Sequence, residues 1–459
     1  MASKPVVIRK ENFGLLIWSP KHDSYFIPDE IALAQIPNIV QSVKEEDNAW
    51  KDRFDSNLVS DLTSMGLDRN VRFIDNSLEG RLSAPLDVYC DYTNACNLRC
   101  PYCYNKNVDR NITMPEDKII RVLTQMSNNG IMRTHLAGGE PMINIKGFET
   151  YLRTSHEVGM NASVNCNGTL VTERAMNAVF DYGIITLTFS LDGPNATVHD
   201  SYRGAGNFYK TRENARLTAQ EKKIGHGPKL QYKAVHMFDT PLEVYDGLIE
   251  VAIADGMDRM QFHNPECSIY HPKGHYSQPD IIKGYYERVL HLVELREKYK
   301  GQIDVWGLWN PITGCADIGL PGYHGCIGGQ ELVAIDAKGT LKPCLMNKYE
   351  LGNLFGDWDG DFAMFWRESK LLLEYQRFAD TVDPHCEYYS KCRGGRKTRV
   401  IVENRDGLTS NEPIKMEDMQ GFDPYCTRDF IQNSGIPPHT PSREYHLLRH
   451  KRINMAHSL

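Results

Sequence analysis

The stretch from Leu86 to Tyr104, LDVYCDYTNACNLRCPYCY, sets the fold expected for this chain. Its first residues, Leu86–Tyr89, form a short apolar run typical of a strand. Three cysteines follow directly: Cys96, Cys100 and Cys103. The asparagines and the proline among them disfavour a helix and indicate a loop, in which the three thiolates can converge on one point. The spacing therefore indicates a metal site just after a strand.

Composition narrows the class of protein. The chain has 459 residues, of which 41% are hydrophobic, so it is long enough for two or three domains. Its net charge of -7 offers no general attraction for nucleic-acid phosphates, and no apolar run approaches the roughly 20 residues of a membrane span. The first residues lack the apolar core of a signal peptide. We therefore expect a soluble, cytoplasmic protein without a nucleic-acid or membrane partner.

The region around the first cysteines alternates between strand and helix patterns. The six apolar runs that indicate strands are Leu86–Tyr89, Met132–Leu136, Ala162–Val164, Ile184–Phe189, Leu230–Val235 and Arg259–Phe262. The helical stretches between them are Glu116–Met126, Phe148–Val158, Glu173–Phe180, Asn214–Lys222 and Leu242–Ala254. Such alternation predicts an α/β fold with a parallel sheet, but six units fall short of the eight that close a (β/α) barrel. We expect an open, TIM-like (β/α)6 partial barrel over residues 81–310, with its site at the carboxyl ends of the strands.

The flanking regions have other patterns. Residues 1–80 predict a hairpin, with a first strand Val6–Trp18 that Gly14 interrupts and a second strand Asp23–Ile27. Two helices are expected to follow, Pro28–Ser42 and Phe54–Gly66. This order resembles a winged-helix unit; the alternative is a covering layer for the barrel. Residues 311–459 contain short strand candidates, Leu332–Ile335 and Gly339–Pro343, and one amphipathic helix, Phe362–Phe378. Bound metal would have to contribute folding free energy to this cysteine-containing region, and the last thirty residues are expected to be a surface arm.

The spacing of the first three cysteines, C-x3-C-x2-C with an aromatic residue before the last, resembles that of the radical S-adenosylmethionine (SAM) family. Three thiolates leave one iron of a four-iron cluster open, whereas zinc would require a fourth ligand, and none is evident. The resemblance implies a 4Fe-4S cluster whose free iron chelates the amino and carboxylate groups of SAM. It also implies that the reduced cluster cleaves SAM to a 5′-deoxyadenosyl radical, which abstracts hydrogen from a substrate.

Later motifs extend this resemblance. The family's GGEP motif is similar to Gly138-Gly139-Glu140-Pro141, and its NGT turn is similar to Asn167-Gly168-Thr169. The SxDG…HD…R stretch of peptide-modifying members is similar to Ser190-Leu191-Asp192-Gly193 followed by His199-Asp200 and Arg203. Each motif alone could be an ordinary βα turn. Together with the cysteine motif they make four in the order expected for the family, which favours a SAM site. The residues expected to bind the cofactor are Tyr102, Gly138, Gly139, Glu140, Asn167, Ser190, Asp192 and Arg203.

The remaining grouped cysteines resemble the SPASM/twitch pattern of auxiliary iron–sulfur domains. Cys326 and Cys344 match its first half, and Cys386, Cys392 and Cys426 match positions in its second half. Two positions differ from this cysteine pattern, because Asp383 and Arg396 occupy positions where the pattern has cysteines. The resemblance implies two auxiliary clusters of the 4Fe-4S type. Their expected ligands are, for one, Cys315, Cys326 and Cys344 and, for the other, Cys386, Cys392 and Cys426 with an oxygen of Asp383, preferred to His385 by its position. The alternative is a zinc ribbon or buried free thiols.

These features together indicate a peptide substrate. Arg9–Gly14, followed by a hairpin and helices, looks like the leader-recognition element of ribosomal peptide (RiPP) maturases, which bind a leader as an added strand. We therefore expect a maturase that acts on a ribosomally made precursor peptide, uses an external reductant such as flavodoxin or ferredoxin, and forms a thioether or carbon–carbon crosslink.

Three alternatives remain open from the sequence. The chain could resemble a formylglycine-forming sulfatase maturase. It could also be a peptide epimerase, in which Cys166 or Cys267 returns a hydrogen atom, although each cysteine would more ordinarily be a buried small residue. The alternative outside enzymes is an iron–sulfur electron carrier or peptide-binding module.

Overall fold

The computed structural model describes residues 4–28, 30–45, 47–67, 70–222, 227–236, 240–263, 278–307, 326–378, 397, 400–401, 413–420 and 450–453. An amino-terminal sheet begins with an antiparallel meander of β1 (Val6–Glu11), β2 (Gly14–Ser19) and β3 (Ser24–Pro28). The helices α1 (Glu30–Lys44) and α2 (Ser56–Met65) follow, and β4 (Val71–Ile74) returns parallel to β1.

The expectation of one long first strand, Val6–Trp18, is wrong. The chain turns at Asn12 and Phe13, and Gly14 begins the second strand opposite Glu11. Gly14 has a φ of +122°, which residues with a side chain rarely adopt. The glycine therefore belongs to a tight turn between two strands rather than to an irregularity within one. The winged-helix interpretation stays a prediction.

The amino-terminal sheet is covered on both faces. Because alternate residues of a strand point to opposite faces, Ile8 and Ile17 pack with the apolar side chains of α1 and α2, whereas Val7 and Trp18 pack towards Leu86 at the barrel. The sheet is therefore a middle layer between two helices and the barrel.

The barrel sheet contains seven consecutive parallel strands. They are β5 (Asp87–Cys90), β6 (Arg133–Leu136), β7 (Asn161–Cys166), β8 (Thr186–Ser190), β9 (Lys229–Val235), β10 (Arg259–His263) and β11 (Asp304–Gly307). The helices among them are α3 (Glu116–Asn128), α4 (Ile145–Glu157), α5 (Glu173–Asp181), α6 (Ala196–Arg203), α7 (Asn207–Glu221), α8 (Glu243–Ala254) and α9 (Gln278–Lys298). The six expected strands and their parallel order are confirmed. The seventh strand and the polar helix α6 were not expected, because neither carries a distinct apolar period.

The carboxyl-terminal segment extends this sheet. β12 (Leu332–Ile335) pairs in parallel with β5, and β13 (Thr340–Lys342) and β14 (Gly352–Asn353) follow antiparallel. The two strand predictions here are confirmed. The single helix expected over 362–378 is two helices, α10 (Phe362–Glu368) and α11 (Lys370–Phe378), which meet at Ser369.

A last strand, β15 (His450–Ile453), joins the amino-terminal sheet and runs parallel to β3. It occupies the outer edge of that sheet, whose order is β15-β3-β2-β1-β4. Within the parts of the chain that the structure describes, no helix is both long and apolar enough to cross a membrane.

Candidate cluster and cofactor site

The first cysteine loop lies at the carboxyl end of β5. Its base is closed by the Thr93 and Thr113 hydroxyl groups, 2.8 Å apart, and by the N–H of Asn94, which donates to the Ile112 carbonyl at 2.9 Å. The loop between these ties carries the three thiols. The strand and the closed base therefore hold the cysteines over the end of the barrel where sites of such folds occur.

The three thiols lie within electrostatic reach of one another. Cys96, Cys100 and Cys103 are all half-buried. Burial raises the pKa of Cys96, and the nearby Cys103 raises it further. Burial likewise raises the pKa of Cys100 to about 11, against an opposing effect of the Arg203 guanidinium. Without a metal the Cys96 and Cys100 thiols would be neutral, so bound iron would have to stabilise their thiolates.

The donor set fits an iron–sulfur cluster better than a single ion. Among the residues that the structure describes, no three His, Cys, Asp or Glu side chains lie close enough together to hold one metal ion. A four-iron cluster binds each thiolate through a different iron and so accepts a wider separation. Three thiols that interact electrostatically, but do not form a single-ion site among the described residues, match that requirement.

The opposite side of the loop is fixed by Tyr102. Its hydroxyl donates to the carboxylate of Asp192, which also receives the Arg203 Nε at 2.5 Å. The Arg203 guanidinium lies 5.4 Å from the centre of the Tyr102 ring. Although burial opposes ionisation, the ion pair with Arg203 holds the pKa of Asp192 below its usual value. Three of the predicted cofactor residues thus form one network beside Cys100.

The glycines of the GGEP motif allow close contact between loop and barrel. The N–H of Gly139 donates to the Thr93 carbonyl at 2.8 Å, and that of Glu140 donates to the Ala95 carbonyl at 2.7 Å. A Cβ on Gly139 would lie 2.0 Å from the Ala95 oxygen, and Gly138 has a φ of +70°. Residues with side chains would therefore push the cysteine loop away from β6.

Glu140 is buried and its carboxylate joins two turns. Its oxygens accept the N–H groups of Asn167 at 2.7 Å and Met142 at 3.2 Å. Burial raises the pKa of Glu140 to about 7, even though these amides oppose the shift. The side chain thereby connects the turn after β6 with the turn after β7.

The NGT turn contacts the cysteine loop through Asn97. The Asn167 amide donates to the Asn97 Oδ1 at 2.9 Å, and the Asn97 amide donates to the Thr169 hydroxyl at 2.8 Å. Ser190 differs from the other predicted cofactor residues, because its hydroxyl donates to the Cys166 carbonyl of β7, at 3.1 Å, rather than to the cysteine loop. The structure thus brings seven of the eight predicted cofactor residues into contacts with the loop or its anchors.

Sequence reasoning missed several supporting residues. The motif stretch already included His199, whose Nδ1 accepts the Asp192 N–H at 3.2 Å. The missed residues, besides Asn97, are Tyr104, whose hydroxyl accepts the Gly138 N–H at 3.1 Å, and His236, whose Nε2 lies 3.2 Å from the Asp192 carbonyl. Only Tyr104 carried a signal, because it repeats the aromatic position on the other side of Cys103.

The second cysteine group is only partly described. Cys326 and Cys344 flank the β12–β13 hairpin, and both thiols raise the pKa of the buried Tyr375 after the larger effect of burial. The hairpin therefore brings these two cysteines together beside one tyrosine. The other predicted ligands lie outside the described residues: Cys315, Asp383, Cys386, Cys392 and Cys426.

Comparison with known proteins identifies the class. Residues 91–225, which contain the cysteine loop and the three later motifs, match the sequence model of the radical SAM superfamily. The chain therefore contains a radical SAM domain over these residues and is an enzyme, for which SAM and a 4Fe-4S cluster are the expected cofactors.

The particular relatives are peptide-processing proteins by name. The chain is 26% identical over 304 residues to the PqqA peptide cyclase of Rhodopseudomonas palustris, a match that covers 64% of this chain and 76% of that protein. It is 24% identical over 358 residues to the mycofactocin maturase MftC of Mycolicibacterium smegmatis, covering 69% and 79%. Its fold is similar to that of SuiB from Streptococcus suis, solved with the precursor peptide SuiA, with a TM-score of 0.66, 16% identity and coverage of 92% and 100%.

Proposed function

We propose that this protein is a radical SAM maturase that modifies a leader-bearing, ribosomally made peptide. One observation carries the proposal: a radical SAM barrel is joined to an amino-terminal sheet whose outer edge accepts an added strand. Its similarity to the PqqA peptide cyclase and to MftC supports a peptide substrate. We assign residues 1–80 to leader recognition, 81–310 to the barrel and 311–459 to auxiliary clusters.

Cys96, Cys100 and Cys103 would hold the catalytic cluster. With SAM and an external reductant such as flavodoxin or ferredoxin, this cluster supplies a 5′-deoxyadenosyl radical that removes hydrogen from the peptide. The chain's own contribution is to fix the loop, through Tyr102 on one side and the Gly138–Gly139 turn on the other. Half-burial of the thiols limits water at the reacting centre.

The leader would bind along β3. The outer edge of this strand pairs with the extended residues His450–Ile453, in a register that places Tyr25 opposite His450. This edge would present its main-chain donors and acceptors to a leader that takes the place of His450–Ile453. This is the property that leader recognition requires.

The position of the amino-terminal sheet sets a minimum distance between the leader segment and the modified residue of the peptide. Tyr25 on β3 donates to the Leu86 carbonyl at 2.8 Å, and Lys4 binds the Met160 carbonyl at 2.8 Å, both at the starts of barrel strands. The cysteine loop lies at the opposite ends. A barrel strand such as β7 has six residues, so at about 3.3 Å each the two ends are about 20 Å apart. We infer that at least about six extended residues separate the leader segment from the modified residue.

The product would be a thioether or carbon–carbon crosslink. Forming either bond removes two hydrogens from the peptide, so a second electron must leave after the first hydrogen is abstracted. The cysteine pair Cys326 and Cys344, on the strand pair next to β5, is our candidate for holding part of an auxiliary cluster that accepts it. Epimerisation gains less support, because the Cys166 thiol is buried and points to the Thr188 carbonyl at 3.4 Å.

Mass analysis of a precursor peptide co-expressed with this protein tests the proposal. A crosslink lowers the peptide mass by two hydrogens, and fragmentation locates the bond. The same peptide without its leader segment should remain unmodified. A modified leaderless peptide would contradict leader recognition, and failure to form 5′-deoxyadenosine with SAM and dithionite would contradict the enzyme.

A further inference from the structure

The third cysteine of the loop lies between two anchored tyrosines. Tyr102 donates its hydroxyl to Asp192, which follows β8, and the Tyr104 hydroxyl lies 3.4 Å from Oδ2 of Asp91, which follows β5. Both carboxylates are buried. The turn that carries Cys103 is thus held from two sides of the barrel opening by separate carboxylates.

Asp192 is the more completely bound of the two. One of its oxygens receives the Tyr102 hydroxyl and the Arg203 Nε, at 2.5 Å from the latter. The other oxygen receives the N–H of Val235 at 3.0 Å. The side chain is fully buried, so both oxygens are directed at the protein. Charge-assisted bonds of this kind are short and fix geometry.

The main chain of Asp192 is held as well. Its N–H donates to the Nδ1 of His199, and its carbonyl accepts the Nε2 of His236, each at 3.2 Å. His199 lies on α6, the helix that ends with Arg203. The residue therefore occupies a point where β8, β9 and α6 meet, and it cannot turn towards a ligand without breaking bonds on several sides.

We propose that Asp192 is a positioning residue, which fixes Tyr102 and Arg203 against the cluster loop and does not itself contact SAM. This inference rests on the proposed cluster at Cys96, Cys100 and Cys103. It differs from the role expected from the motif, in which Asp192 counted among the residues that bind the cofactor. A residue that only touched SAM would affect SAM binding, whereas a positioning residue also affects the cluster when SAM is absent.

The test uses the full-length protein, reconstituted anaerobically with iron and sulfide and measured without SAM. Asp192→Asn keeps the shape of the side chain but leaves the Arg203 charge unopposed near Cys100. Positive charge favours the reduced cluster, so the reduction potential should rise. We expect at least a tenfold change in the ratio of reduced to oxidised cluster, about 59 mV for one electron.

Two further variants separate charge from position. Tyr102→Phe removes only the hydroxyl that binds Asp192, so it should alter the EPR line shape of the SAM-free cluster without a change in charge. Combining it with Asp192→Asn should add little to the line-shape change. Asp200→Asn is the matched control. This acid lies on α6, the helix of Arg203, but among the described residues its carboxylate accepts hydrogen bonds only from the N–H groups of Gly206 and Phe208, at 2.7 and 2.8 Å. The control should leave potential and line shape unchanged.

The outcomes are distinct. An unchanged SAM-free potential and line shape in Asp192→Asn, even with weaker SAM binding, would overturn the inference. If Asp192→Asn does not fold, the SAM-free line shape of Tyr102→Phe decides in its place, and a wild-type spectrum overturns the inference. A wild-type protein that forms no SAM-responsive cluster would instead contradict the proposed function, and this inference with it.

Discussion

The two ends of the barrel are built from different interactions. At the amino-terminal end, the buried pair of Arg9 and Glu11 binds the chain before β5: Arg9 donates to the Ala84 carbonyl at 2.6 Å, and Glu11 accepts the Ser83 N–H at 2.7 Å. At the carboxyl end, half-buried thiols sit in a loop held by main-chain contacts and by hydroxyl and amide groups. The amino-terminal end of the barrel therefore stabilises the fold, whereas the carboxyl end keeps reactive groups accessible, as in barrel enzymes generally.

The largest effect is expected from Cys100→Ala at the carboxyl end. Loss of one of three thiolates leaves the cluster without the ligands that would hold it, so SAM cleavage should fall to background. Production of 5′-deoxyadenosine after anaerobic reconstitution measures this. Iron bound elsewhere should remain, and Cys166→Ala is the control because that buried thiol lies outside the loop. Loss of all iron from Cys100→Ala would contradict separate sites.

Gly139→Ala should move the cysteine loop without removing any of its three thiols, and so tests the effect of loop position alone. The added Cβ would lie 2.0 Å from the Ala95 oxygen, so the cysteine loop must shift. We expect SAM cleavage to fall at least about tenfold, since small misplacements of reacting groups cost rates of this order. Gly183→Ala, in the turn between α5 and β8, is the control: the added Cβ meets no atom within 4 Å and adds only left-handed strain of roughly 1–2 kcal/mol. Equal losses in the two variants would refute the role assigned to close approach.

Arg9→Ala should act on stability rather than on chemistry. It leaves the Glu11 carboxylate buried without its charge partner, which costs about 3–5 kcal/mol for a buried pair. Urea unfolding measures this, and SAM cleavage per folded molecule should stay near wild type. Lys10→Ala on the same strand is the control, because its pair with Asp75 is about half exposed and should contribute no more than about 1 kcal/mol. A small loss in Arg9→Ala would mean that the amino-terminal end does not depend on this pair.

The smallest effect concerns pH. Burial lowers the pKa of His236 to about 4, below the unfolded value of 6.5, despite the nearby Asp192. Unfolding therefore takes up a proton in this range, and the His236 contribution to stability is present above pH 6.5 and lost as the pH falls towards 4. At pH 5 the loss is about 2 kcal/mol. The free energy of unfolding of His236→Gln should fall less between pH 7 and pH 5 than that of the wild type. His156→Gln, at a half-buried histidine on α4, is the control. Parallel pH profiles for wild type and His236→Gln would contradict the assignment.

The sequence predicts the barrel well because its signals are local. Apolar runs such as Ile184–Phe189 correspond to buried strands, and the motif glycines follow them at the turns. The pairing of β12 with β5 could not be predicted, since it joins residues more than two hundred positions apart and neither run specifies its neighbour. Gly14 was expected to interrupt a single strand; the turn between two strands was not predicted, because the apolar pattern continues on both sides.

The sequence predicted which residues belong to the site, but it did not predict the hydrogen bonds between them. The motifs named Asp192 and Arg203, yet only coordinates show that each binds the other and that Tyr102 joins them. Asn97 gave no signal, because its amide bonds to Asn167 and Thr169 depend on how two loops meet. Contacts between loops depend on tertiary packing, which a motif does not encode.

The most direct measurement is electron–nuclear double resonance on the reduced wild-type protein with SAM labelled with ¹⁷O in its carboxylate. If Cys96, Cys100 and Cys103 leave one iron open, the label should show hyperfine coupling to the cluster, and the coupling should vanish in Cys100→Ala. A reduced cluster with no coupling to the bound, labelled carboxylate would contradict the account.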